Sequence, residues 1–142
     1  GDPRAYDFPR PMLATKNFDF SFSGLKTAVL YQLKGRRPAK RDVPNLAASF
    51  EQAVVDVLVA KTLRAARELK VKSLLLGGGV AANGLLRTTL ERETKALPSL
   101  KYYKPNLAFA TDNAAMIAMA AAFHKKSDPL TAIVADSRWE LV

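Results

Sequence analysis

Leu74-Leu75-Leu76-Gly77-Gly78-Gly79-Val80-Ala81-Ala82-Asn83 is the stretch on which the fold turns. An apolar run too short for a helix meets three glycines and a string of small residues, and a helical pattern opens at Asn83. This order predicts a buried strand, a tight turn and a helix N-terminus. Glycines let another backbone or a ligand approach closely, since no Cβ stands in the way. The unpaired N–H groups of the next helix's first turn, at the positive end of its dipole, favour phosphate and other anions. The expectation is therefore a nucleotide site at the carboxyl end of a strand. The competing expectation is a turn kept bare only so that helix and sheet can pack. The run fits neither standard phosphate motif: no Gly-Lys-Ser/Thr follows, and its glycines are not spaced as in the dinucleotide fingerprint.

Outward from this turn, helices and strands alternate. Residues 18–21 are β-favouring and are expected to form a short strand, with Ser23 capping a helix that Gly35 ends. Pro44 stands in the first turn of a long helix, where its missing N–H costs nothing. In that helix Leu46, Phe50, Ala53, Val54, Val57 and Leu58 form one apolar stripe, so Phe50 and the valines are expected in the core. Residues 83–97 read as a further helix stopped by Pro98, and residues 100–103 as a second strand with Tyr102 and Tyr103 on opposite faces. A last helix is expected from residue 111 to about 126, its alanines permitting close packing on the sheet. Residues 1–17 read as an entering loop and residues 127–142 as a weakly patterned tail. The class is α/β, one lobe over residues 1–142. The few strands suggest part of a larger protein.

Composition narrows the function. The 142 residues suffice for one domain with a real core. With no cysteine there is neither a disulfide nor a thiolate metal site. No apolar stretch approaches the ~20 residues that span a bilayer, so no membrane association is expected and the cytoplasm is the expected location. Lys and Arg outnumber Asp and Glu to a net charge of +9, an excess that attracts polyanions. Lys34, Arg36, Arg37, Lys40 and Arg41 concentrate it in one loop, the candidate nucleic-acid-binding cations. Lys61, Arg64, Arg67, Lys70 and Lys72 follow as a second cluster, which either adds to that attraction or is only the solvated face of a helix.

Three loops join strands to helices, at residues 21–26, 77–83 and 110–113. In open α/β sheets such ends converge on the ligand crevice. Asp112 in the third is either a helix cap or a hard oxygen ligand for a cation. The only histidine, His124, lies beside Lys125 and Lys126, and neither a zinc-protease motif nor a Ser/His/Asp trio can be drawn.

Four blocks, in order, resemble the second half of the TsaD/Gcp family. They are Phe20-Ser21-Phe22-Ser23-Gly24-Leu25-Lys26-Thr27, Phe50-Glu51-Gln52-Ala53-Val54-Val55-Asp56, Gly77-Gly78-Gly79-Val80-Ala81-Ala82-Asn83, and residues 110–118 around Thr111-Asp112-Asn113. The Ser-Phe-Ser-Gly-Leu-Lys form is similar to the bacterial branch. The resemblance implies an actin-like ATPase (ribonuclease H-like) fold, of which this chain would be most of the second lobe. It implies a transferase that moves threonylcarbamoyl from threonylcarbamoyl-adenylate to the adenine next to the tRNA anticodon, acting with partner proteins of that pathway. Under it Gly77, Gly78 and Gly79 would line the adenosine side of the nucleotide (the adenylate, or ATP/ADP) and Asn83 would hydrogen-bond it. Asp112 would match a carboxylate ligand to an iron or zinc ion. The family's His-x-x-x-His pair is absent, so the chain alone is expected to bind metal weakly and to be catalytically inactive. A non-catalytic nucleotide-binding or scaffold lobe of the same fold, acting through partners, is the alternative. A sugar or acetate kinase relative fits the four blocks less well, and the family's former glycoprotease label finds no support in these residues.

Overall fold

The computed structural model describes residues 1–35 and 37–124. Its centre is a 26-residue helix. Helix α1 spans Ser23–Leu33 and α2 spans Val43–Glu68; strand β1 is Ser73–Leu75, α3 is Gly84–Lys95, β2 is Lys101–Tyr103 and α4 is Ala114–Phe123. Single 3₁₀ turns at Gly79–Ala82 and Leu107–Phe109 precede α3 and α4.

Strands β1 and β2 pair in parallel, with Leu74 opposite Tyr102 and Leu75 opposite Tyr103. Parallel neighbours need a crossover, and the glycine turn with α3 supplies it. Alternation places Leu74 and Tyr102 against the core, while Leu75 and Tyr103 face outward. Tyr102 and Tyr103 thus take opposite faces as expected.

Helix α2 packs on two sides. Val55, Val59, Leu63 and Ala66 meet Leu86, Leu90 and Leu100 in one cluster, beneath the sheet and α3. On its other side Ala53 joins Leu25 and Phe8. The expected single stripe was too narrow: a helix wedged between two layers is apolar on more than one face. Phe50 is not core but 40% exposed, its ring edge-on to Phe8 at 6.4 Å.

The opening segment is irregular, as expected, but it is firmly tied along α2. Arg10 grips Asp56 through Nε at 3.1 Å and Nη2 at 2.9 Å, and Ser49 Oγ donates to the Asp2 carbonyl. Lys61 overturns its reading as part of a solvated face. It is 1% exposed, and its Nζ donates to Met12 O and Thr15 Oγ1, each at 2.9 Å. Arg64 Nη2 donates to the Asn17 carbonyl at 2.6 Å.

Three further local expectations change. Residues 18–21 form no strand, because a strand needs a ladder partner and none lies beside them among the described residues. Their rings instead meet cations, Phe18 under Arg64 and Phe20 under Lys61, each at 5.9 Å. Ser23 is the first helical residue of α1 rather than its cap; Phe22 holds the cap position, with no side-chain hydrogen bond. No residue of α4 is buried, so its alanines do not pack on the sheet. Helix α1 does end near Gly35 (φ +70°), after Lys34 turns left-handed with φ 46°. The tail at 127–142, with Lys125 and Lys126, lies outside the described residues. No helix among the described residues is long and apolar enough to cross a membrane.

Candidate functional site

The glycine turn presents a bare face. Gly78 adopts φ 84° and ψ 173°, a conformation open essentially to glycine alone. Gly77 and Gly79 have no positive φ. A Cβ added at any of the three would meet nothing within 4 Å. Close packing of helix on sheet therefore does not explain the glycines.

Asn83 follows as the cap of α3. Its Oδ1 accepts from Leu86 N at 2.8 Å, and its Nδ2 donates to Glu51 Oε1 at 2.6 Å. The helix N-terminus is thus partly satisfied by its own cap, which leaves less of it for an anion than the sequence suggested. Glu51 reaches this point from α2, one residue beyond Phe50. Glu51, Asn83, Val80, Phe22, Val54 and Leu86 line a cavity of about 700 Å³. The cavity unites the first loop, through Phe22, with the second. An adjoining groove of about 690 Å³ between α1 and α2, which shares Phe22, Ala47 and Phe50 with the cavity, is apolar apart from Ser23 and Lys26, and so offers little polar recognition.

Arg87 joins the second loop to the segment that precedes the third. Its Nη1 donates to Ala81 O at 2.9 Å and its Nη2 to Pro105 O at 2.7 Å, one guanidinium clasping the glycine turn and the run toward Asp112. In sequence nothing distinguishes this helical Arg as a clasp. Burial pushes the neighbouring Tyr102 hydroxyl's pKa upward, against an opposing effect from Arg87. Lys104 hydrogen-bonds Glu91 and holds its carboxyl below the usual range, a second tie between α3 and the chain after β2.

Asp112 is exposed, and makes no ion pair among the described residues. Asn113, not Asp112, caps α4, accepting from Met116 N at 3.1 Å. No group of three His, Cys, Asp or Glu side chains gathers to hold a metal among the described residues. One carboxylate does not make an iron or zinc site, so the donors present do not fit that ion by themselves. Of the basic loop, Lys34, Arg37, Lys40 and Arg41 are exposed; Arg36 lies outside the described residues.

These features define an α/β protein with a bare glycine turn where its strand runs into a helix, and a cavity walled by Val80 and Asn83 just beyond that turn. The chain belongs to the TsaD family: the family model described as tRNA N6-adenosine threonylcarbamoyltransferase matches residues 1–119. A Ralstonia pickettii protein bearing that description is 48% identical over 134 residues, which cover 91% of this chain and 38% of the relative. A Thermosipho africanus protein of the same description is 49% identical over 122 residues, covering 84% and 36%. One from Thermotoga neapolitana is 48% identical over 120 residues. The chain thus spans somewhat over a third of the length of the curated relatives it matches.

Proposed function

We propose that this chain forms one wall of the nucleotide cleft of a tRNA N6-adenosine threonylcarbamoyltransferase, within the second lobe of an actin-like fold. In the reaction, the amino group of the adenine next to the anticodon bonds to the carbamoyl carbon of threonylcarbamoyl-adenylate, and AMP leaves. This chain's part is to hold the adenylate. Gly77, Gly78 and Gly79 let its adenosine side approach the backbone, and Asn83 offers its remaining amide N–H. An iron or zinc ion would draw on Asp112 for one carboxylate only, the rest of its ligands lying outside the described residues. The bare turn carries the reading, since neither backbone strain nor crowding explains Gly77 or Gly79.

ADP titrated into the 142-residue protein, followed by NMR, is expected to move the amides of residues 77–83. Gly79→Val is expected to abolish that response while changing stability by less than about 1 kcal/mol, because the added side chain meets open space. A response unaffected by Gly79→Val would remove the turn from the site. Threonylcarbamoyl transfer to tRNA by this chain alone would overturn its role as a single wall.

The exposed cations Lys34, Arg37, Lys40 and Arg41, together with Arg36, are proposed to contact tRNA phosphates. Reversing the charge at these positions is expected to weaken tRNA binding and to flatten its dependence on salt by about one unit of slope per lost contact. An unchanged salt slope would assign the loop's charge to solubility.

A further inference from the structure

Two parallel strands begin at the same end of the lobe, and the helix before each strand finishes there. Helix α2 ends just before β1 and α3 just before β2, so the glycine turn and Asn83 stand at one end and residues 67–72 and 97–101 at the other. Lys101 N donates to Lys72 O at 2.9 Å and ties the two strand entries together. Glu51 hydrogen-bonds Asn83, and from residue 51 to Arg67 α2 runs sixteen residues, about 24 Å at ~1.5 Å per residue.

Cations gather at this far end. Arg67, Lys70 and Lys72 line a groove of about 390 Å³ together with Ser99, and Lys101 opens the neighbouring strand. All four cations are exposed, and none pairs with a carboxylate among the described residues. Glu68 and Glu93, which lie near the two helix ends, pair instead with Arg64 and Arg92. Arg67 lies in the last turn of α2, where a cation complements the helix dipole. That effect fades beyond the last turn and does not account for Lys70, Lys72 or Lys101. Lys70 is the sharpest case. It holds φ 52° just past the cap Leu69, its N–H bonded to Arg67 O and the Val71 N–H to Ala66 O. Glycine fills this left-handed helix end at no steric cost, so a lysine here gives up stability. Its ammonium, free of any carboxylate among the described residues, returns none.

Unpaired cations along a groove attract a chain of phosphates, and phosphate contacts fix register without reading sequence. Leu69 and Val71 are the large apolar side chains exposed beside them, too few for the apolar centre of a protein interface. We infer that Arg67, Lys70, Lys72 and Lys101 form an RNA-backbone surface that holds tRNA phosphates about 24 Å from the adenylate cleft and so positions the RNA over it. The inference rests on the reading of this chain as part of a tRNA-modifying enzyme. With the loop at residues 34–41, it places a phosphate contact at each end of α2.

Binding of an unmodified tRNA transcript to the 142-residue protein, measured across salt concentrations, tests it. The test variant combines Arg67→Gln, Lys70→Gly and Lys72→Gln. The control combines Arg4→Gln, Lys16→Gln and Lys26→Gln, exposed cations elsewhere, and loses the same three charges. The test variant is expected to bind about tenfold more weakly, with a salt slope lower by about two to three units, and the control to stay within about twofold of the wild type. Lys70→Gly alone is expected to weaken binding about two- to threefold while raising the melting temperature by a few degrees. A lysine kept for folding would give the opposite sign in the melt. Equal losses in test and control variants would show that net charge alone attracts RNA, and the surface fails. Unchanged affinity in the test variant also overturns it and leaves the patch to another partner, such as an acidic protein. A wild-type protein that binds no tRNA removes this surface and the loop at residues 34–41 together. None of these results touches the cleft, which the ADP response of residues 77–83 tests separately.

Discussion

Lys61→Ala is expected to lower stability by about 3–4 kcal/mol, a fall in melting temperature of about 10–15 °C for a chain of this size. The lysine is 1% exposed, and no carboxylate lies within ion-pair distance among the described residues. A buried cation is costly unless dipoles replace its water. Here Met12 O and Thr15 Oγ1 do so at 2.9 Å, Asn17 Oδ1 lies at 3.5 Å, and the Phe20 ring faces the ammonium. Truncation leaves those oxygens without their donor and empties the channel filled by the stem. Lys61→Met separates the two effects: it keeps the stem, and is expected to cost about half as much. Trypsin gives a local readout. With the anchor gone, residues 1–17 should be cut faster at Arg4 and Lys16. If Lys61→Met melts within a degree or two of the wild type, the ammonium contributes nothing net and only its stem matters.

The same lysine shows where sequence reading reaches its limit. The glycine run, the helix start at Asn83 and the facing of Tyr102 and Tyr103 were legible because each follows from nearest neighbours: φ preference, capping chemistry, and a period of two. What covers a helix face is not local. Lys61 and Arg64 read as solvent-facing cations until the opening segment is laid along α2, where it supplies their acceptors. Residues 18–21 have strand chemistry but no ladder partner, and their aromatic rings serve the cations instead. In the candidate site the glycines and Asn83 stood out, whereas Glu51 and Arg87 did not. Both look like ordinary charged helix residues in sequence, and their ties to other elements reach partners 32 and 18 residues away. Asp112 stands at a helix start in sequence, yet the cap is its neighbour Asn113.

Arg87 carries the second large effect. Arg87→Ala is expected to cost about 2–3 kcal/mol, because it removes two charge-assisted hydrogen bonds and leaves the carbonyls of buried Ala81 and half-buried Pro105 without their donor. The loss should be concentrated in two places. The Ala81 amide bonds to Gly78 O at 2.9 Å and the Phe109 amide to Asn106 O at 2.9 Å, so both lie in turns that the guanidinium steadies. Hydrogen exchange at these amides should accelerate by more than the global loss of stability accounts for, while amides in the middle of α2 follow the global change. Arg87→Lys is expected to restore less than half of the stability. One ammonium on a flexible stem cannot reproduce a planar fork that reaches two carbonyls on different loops. The clasp also bears on ligand binding, since it fixes the glycine turn relative to the segment that leads to Asp112. ADP affinity should therefore fall in Arg87→Ala under conditions where the protein remains folded. If exchange at Ala81 and Phe109 rises only in step with global unfolding, Arg87 is ordinary packing, and the two loops are held together by something else.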